Sequence, residues 1–446
     1  MVSHEKATSI DLFSFRTPQM RAFHITWFAF FICFFAWFGI APLMVIIRDE
    51  LALTQAQIGN TMIASVAATA LARLLVGWCC DRYGPRLTYT WLLILGAIPV
   101  MGIGLAQSYE AFLLFRLGIS VIGASFVITQ FHTSMMFAPS CVGTANAVTA
   151  GWGNLGGGVT QVTMPLVFTL LVTAGISEFW SWRVALFLVG LLCIAMGIAY
   201  YALTQDTPAG NFKELRAKGE MPGRASSKGA FGEAARDIRV WALFLVYGAC
   251  FGVEITLHNI AALYFTDYFD LGLRTAGLVA GSLGMLNLFA RALGGIFGDR
   301  CGLRWGLKGR VQWLALVLAA EAVALMVFSQ MTSLPFAIAA LLVLGLFVCM
   351  GCGATFAVVP FINKRALGPV SGIVGAGGNA GALAAGFLFK VESISWPQAL
   401  LVLGVAVMLC AVCTALIRFS PADDAAAARD IRAGLGNAPE PLLATD

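Results

Sequence analysis

Apolar residues in this chain come in long unbroken runs, not in the alternation of a half-buried strand. Twelve such stretches can be laid out, at 24–47, 57–78, 88–106, 111–138, 143–173, 182–204, 240–266, 274–298, 311–330, 334–362, 367–390 and 396–418. Each is long enough, as a helix rising 1.5 Å per residue, to cross the ~30 Å hydrocarbon core of a bilayer. The pattern predicts an all-α membrane protein of twelve transmembrane helices. Polar sequence is extended in only three places. Residues 1–23 precede the first stretch, 419–446 follow the last, and 205–239 separate 24–204 from 240–418. That central segment holds Gly and Pro with seven basic and five acidic residues, and reads as a linker between two six-helix halves. The tail, with its PADDAAAARD run, reads as a weakly ordered end.

Composition supports the same class. Of 446 residues, 59% are hydrophobic and 11% charged, far from the soluble norm. The first apolar run is too long for a signal-peptide core, so it is expected to stay as a membrane helix. Sidedness follows from the 28 basic residues. With both termini cytoplasmic, Arg48, Arg183, Arg274 and Lys390 fall in outer loops and Arg73, Arg116 and Arg291 inside helices, which leaves 21 on the cytoplasmic side. The expected location is the cytoplasmic (inner) membrane, and the net charge of +5 is a topological signal that calls for no nucleic acid. Membrane lipid is the surrounding partner, and the chain is expected to work as a monomer. The eleven cysteines read as small packing residues, with no Cys/His spacing of a metal site. No nucleophile with a base and no phosphate loop is visible, so neither an enzyme nor a cofactor is expected.

One segment occurs twice. ARLLVGWCCDRYGPR (72–86) returns as ARALGGIFGDRCGLR (290–304), at the same end of the second stretch of each half. Gly77-x-x-x-Asp81-Arg82-x-Gly84-x-Arg86 and Gly295-x-x-x-Asp299-Arg300-x-Gly302-x-Arg304 resemble the cytoplasmic loop signature of the major facilitator superfamily. Asp81, Arg82, Arg86, Asp299, Arg300 and Arg304 are expected to form a gating latch that helps hold one state of a transport cycle. Two related halves with a site between them is the architecture of secondary transporters.

Arg73 and Arg291 each precede the loop aspartate by eight residues, so they lie ~12 Å deeper, near the bilayer midplane. A guanidinium there costs at least ~2.5–3.5 kcal/mol and marks a pathway or a ligand. Within the stretches only Glu254 and Glu321 are acidic, and they do not occupy matching positions of the two halves. Two matched cations facing one cavity call for an anion. The planar, permanently charged fork of arginine suits a planar oxyanion such as nitrate, nitrite or a small carboxylate. A fainter repeat adds to this: AGWGNLGGG (150–158) and GAGGNAGAL (375–383) share Gly-Asn-x-Gly. Asn154 and Asn379 fall near the depth of the arginines, and Gly151, Gly153, Gly156, Gly378 and Gly381 remove side chains so that helices or a ligand can approach the backbone.

These last motifs resemble the paired signatures of the nitrate/nitrite porter family of that superfamily. WALFLVYGACFGVEITLHN (241–259) resembles the seventh helix of its proton-coupled, high-affinity branch. The likeness runs from about Phe15 to the end of the last stretch. It implies secondary active import of nitrate, and of nitrite, by alternating access. It also implies that Arg73, Arg291, Asn154 and Asn379 bind substrate and that Phe126, Tyr247 and Phe251 sandwich the flat anion. Tyr247 and Phe251, four apart, share a helix face in any case. Alanines at 380 and 382 depart from a full second signature. Proton symport needs a titratable group in the path, for which Glu254, His258 and His132 are the candidates. Nitrate/nitrite exchange or nitrite export needs none and shares every binding residue. A small-carboxylate facilitator and a membrane nitrate sensor are more distant readings.

Overall fold

The computed structural model describes residues 5–138, 141–220, 230–363 and 366–427; the remainder of the expected linker and tail lies outside the described residues. Among these, the chain is helical apart from short turns, with no strand longer than an isolated bridge. Eleven helical runs are long and apolar enough to cross a membrane. They are α1 (Pro18–Glu50), α2 (Gln55–Tyr83), α3 (Pro85–Leu105), α4 (Tyr109–Met136), α5 (Val142–Thr173), α6 (Glu178–Leu203), α7 (Ile238–Phe269), α8 (Leu273–Ser329), α9 (Leu334–Phe361), α10 (Pro369–Lys390) and α11 (Trp396–Leu416).

The run α8 spans two of the expected stretches. It is interrupted at Trp305 and Gly306, where Gly306 takes φ +69°, a conformation that L side chains rarely adopt. The indole of Trp313 donates to the carbonyl of Gly294 (2.9 Å) and its ring packs on Phe297. A straight helix would hold residues 294 and 313 ~28 Å apart. The chain therefore folds back at Gly306, and α8 consists of two antiparallel legs. Other boundaries follow local chemistry. α1 begins at Pro18, ahead of its apolar stretch, because the Thr17 hydroxyl caps it and Pro18 is preset for a first turn. Thr54 and Gln57 form a capping box on α2, and Gly84, at φ +91°, ends it. The central segment contributes two short helices, Phe212–Lys218 and Ala230–Arg236, the first opened by an Asn211/Glu214 capping box and closed by left-handed Gly219.

The two halves pack by matching rules. α1 lies along α5 in the first half and α7 along α10 in the second, while the seams between halves are α5 with the first leg of α8 and α10 with α2. Glycine makes these approaches possible. A Cβ on Gly284 would lie 2.3 Å from the Gly158 Cα, and one on Gly381 would lie 2.1 Å from the Gly248 carbonyl.

Both loop motifs are fastened from behind by a carboxylate. Asp206 accepts the backbone N–H groups of Arg86 (2.8 Å) and Phe212 (2.9 Å) and fills the space beside Gly84. Asp424 accepts the N–H of Leu307 (2.8 Å) beside Gly306. At the end of the bundle opposite these loops, hydrogen bonds join the halves: Arg48 to Asp267 (2.5 Å), the Gln55 amide to the carbonyls of Val391 and Ile394, and Arg274 to Thr169.

Candidate anion-binding site

Between the motif loops and the joined far end, α2 and α8 bring Arg73 and Arg291 to the seam between halves. A guanidinium has only donors, so the amide oxygen of any asparagine against it must face it. With that orientation, Asn379 accepts from Arg73 at 2.9 and 3.3 Å, and Asn154 accepts from Arg291 at 2.9 and 3.1 Å. Each arginine is thus held by the asparagine of the opposite half. Arg73 also donates to the Gly375 carbonyl at 2.8 Å.

Each guanidinium lies over a phenylalanine of its own half, Arg73 over Phe126 at 5.7 Å and Arg291 over Phe251 at 5.6 Å. Tyr247 stacks on Phe251 with ring centroids 5.2 Å apart and planes 16° from parallel. The Nε–H groups of Arg73 and Arg291 are buried without a hydrogen-bond partner. The expected binding residues Arg73, Arg291, Asn154, Asn379, Phe126, Tyr247 and Phe251 are therefore gathered in one place.

The matching ends at one carboxylate. Glu254 pairs with Arg291 at 2.9 Å, accepts from Asn287 at 2.8 Å, and lies 3.6 Å from the Cys352 thiol. Arg73 has no carboxylate within ion-pair reach among the described residues. His258, one turn beyond Glu254, sits 4.0 Å from its carboxylate with both ring nitrogens buried and unpartnered. His132 differs. Its Nε2 lies 2.8 Å from the Gln205 carbonyl, which can only accept, and its Nδ1 lies 2.5 Å from the Tyr200 hydroxyl, itself bonded to Thr26. That is a satisfied node tying α1, α4 and α6 together, away from the arginines.

Of the glycines, Gly153 and Gly156 lie against Phe30 and the Phe31 carbonyl of α1, and Gly378 and Gly381 against α7. They serve helix approach. Gly151 faces the Asn287 carbonyl, its nearest neighbour at 3.4 Å from an added Cβ.

In the loops, Asp299 pairs with Arg310, which the sequence reading left out. Arg300 and Arg304 lie over Phe297 and Trp305, Arg82 over Trp78, and the Arg86 guanidinium over Tyr201 while donating to the Tyr201 carbonyl (2.7 Å). None of these four arginines meets a loop aspartate among the contacts just described. Arg310 was hidden because it lies eleven residues from Asp299, across the turn at Gly306, and no helical spacing pairs the two. Asp206 could have been found: it and Asp424 stand 218 residues apart, the offset of the motif itself.

The Major Facilitator Superfamily family model matches residues 26–364. The chain therefore belongs to this superfamily of membrane transporters. Among solved structures, a bacterial homologue of the human lysosomal transporter Spinster, in an inward-facing and unoccupied conformation, superposes with a TM-score of 0.71 over 91% of this chain and 99% of that one, at 16% identity. Relatives in sequence are more specific. The chain is 41% identical to high affinity nitrate transporter 2.5 of Arabidopsis thaliana, covering 94% of this chain and 83% of that protein. It is 28% identical to the nitrate/nitrite transporter NrtP of Nostoc punctiforme, covering 92% and 94%. Within the superfamily, the chain belongs to the family of these transporters.

Proposed function

We propose that the protein imports nitrate, and nitrite, across the cytoplasmic membrane by alternating access, as a monomer with both termini and both motif loops in the cytoplasm. The observation that carries this reading is the pair of arginines at the seam between halves, each with a phenylalanine beneath it, the other half's asparagine against it, and a buried Nε–H left over. Two parallel N–H donors fit two oxygens of a planar anion, and aromatic faces above and below suit a flat one. With the halves joined at the far end, the arrangement is that of a carrier closed to the outside. The loop residues Asp81, Arg82, Arg86, Asp299, Arg300 and Arg304 act as the latch of the opposite state.

Coupling to protons runs through Glu254. Its carboxylate and the anion compete for the same guanidinium, so a bound anion releases Glu254 from Arg291 and favours its protonation. By linkage, a proton on Glu254 strengthens anion binding by the same factor. His258, next to it on the outer side, completes a route for the proton, and His132 takes no part.

The test is nitrate uptake into proteoliposomes with and without an inward proton gradient. Wild type should accumulate nitrate only with the gradient, and Glu254→Gln should lose accumulation while keeping nitrate counterflow. Uptake that ignores the gradient but rises with nitrite loaded inside would assign the protein to exchange instead. A Glu254→Gln variant that accumulates normally would exclude this carboxylate.

A further inference from the structure

Among the described residues, three arginines are almost wholly buried, and they are not alike. Arg183 forks onto Glu50 at 2.6 and 3.0 Å, and Arg310 pairs with Asp299. Arg116, 2% exposed, has no carboxylate within ion-pair reach among the described residues. Its Nη1 donates to the Trp37 carbonyl (2.8 Å) and its Nη2 to the side-chain oxygen of Asn259 (2.6 Å), whose own amide nitrogen is fixed on the Ile255 carbonyl (2.9 Å). Both acceptors are neutral. A buried guanidinium balanced only by dipoles is costly to keep, and in this chain it shares that condition with Arg73, a member of the candidate site.

Its position gives the condition a use. Along α4, Arg116 stands ten residues from Phe126 toward the far end, ~15 Å, and along α7 Asn259 stands eight residues from Phe251, ~12 Å. Arg116 therefore lies on the outer side of the clamp, and its bond to Asn259 crosses from one half to the other. When the far end opens, Asn259 leaves with its half and the Nη2 donors are uncovered on the route from outside to Arg73 and Arg291.

We propose that Arg116 is an outer capture site for the transported anion, a small monovalent oxyanion held by the bared guanidinium before it passes inward to the clamp. Asn259 is the lid of that site, standing in for the anion when the outer seam is shut. This inference rests on the nitrate-import reading above.

The experiment measures initial nitrate uptake in right-side-out and inside-out membrane vesicles. Arg116→Gln should raise KM at the outer face about tenfold, the loss of roughly one charged contact, with Vmax and the inner-face KM within about twofold of wild type. Asn259→Asp, which gives Arg116 a permanent carboxylate, should raise the outer KM in the same way and decides the case if Arg116→Gln fails to insert. If Arg116 is only a structural tie, Vmax or both KM values will move together, and the inference falls. If wild-type vesicles carry no nitrate, the import reading fails first. If wild type carries nitrate and both variants keep its outer KM, only the capture site is lost.

Discussion

A single arginine at the seam answers to two kinds of partner, and the difference between Arg73 and Arg291 sets what each can do. Among the described residues, Arg73 meets only neutral oxygens, those of Gly375 and Asn379, so no carboxylate offsets its charge. Arg291 is shared by Asn154 and Glu254. Lysine at either position keeps the charge but loses the fork, and should raise the KM for nitrate by about 10- to 100-fold with the protein still folded, as checked by uptake kinetics beside a thermal melt. Asn379→Asp is a sharper substitution. It places a permanent carboxylate on Arg73 at amide distance, where the anion must compete with it. Uptake at low nitrate should fall about 100-fold while thermal stability is kept or raised, and an unchanged KM would show that Arg73 does not contact the substrate.

At the scale of elements, glycine and the two capping aspartates decide what moves and what stays. The seam of α5 and α8 closes on bare backbone at Gly158 and Gly284, so Gly284→Ala must push the helices apart or fail to close. We expect a loss of about 1–3 kcal/mol and a severalfold lower Vmax, read by melting and by uptake. Asp206 ties the linker to the start of α3. Burial raises its carboxyl above the ordinary value, and the N–H groups of Phe212 and Arg86 offset part of that. A raised folded-state value means the folded protein holds this proton more readily than the unfolded chain. Its contribution to stability is therefore present below the unfolded value and lost as pH rises through the folded one. The melting temperature of wild type relative to Asp206→Asn should accordingly shift in favour of wild type as pH falls from about 7 to about 4.

Much of this level was legible beforehand. Long apolar runs fix membrane helices because length and composition suffice. Arg73, Arg291, Asn154 and Asn379 could be placed at one depth because helical rise is constant. Which asparagine meets which arginine could not be read, because that depends on how two halves face each other and no local spacing encodes it. The same holds for Arg310 with Asp299, whereas the split of α8 falls between the stretches 274–298 and 311–330, where the sequence already separates two helices.

Over the whole molecule, the closed far end rests on contacts of unequal weight. Arg48 and Asp267 are partly exposed, and such a pair is worth ~0.2–1 kcal/mol, at most about a fivefold shift between states. Arg48→Ala should therefore shift the population of outward-open molecules by no more than that, as measured from distances between spin labels on α2 and α10. The rest is shared by the buried helix seams and the cross-half hydrogen bonds of Gln55, Arg274 and Arg116.

The crossed pairing of Arg73 with Asn379 and of Arg291 with Asn154 has a consequence for assembly. Each half carries one cation and the cap for the other half's cation, so neither half owns a finished receptor. Residues 1–204 and 240–446 expressed as separate chains should each be blind to nitrate, and recognition should return only when the two fragments meet in the same bilayer.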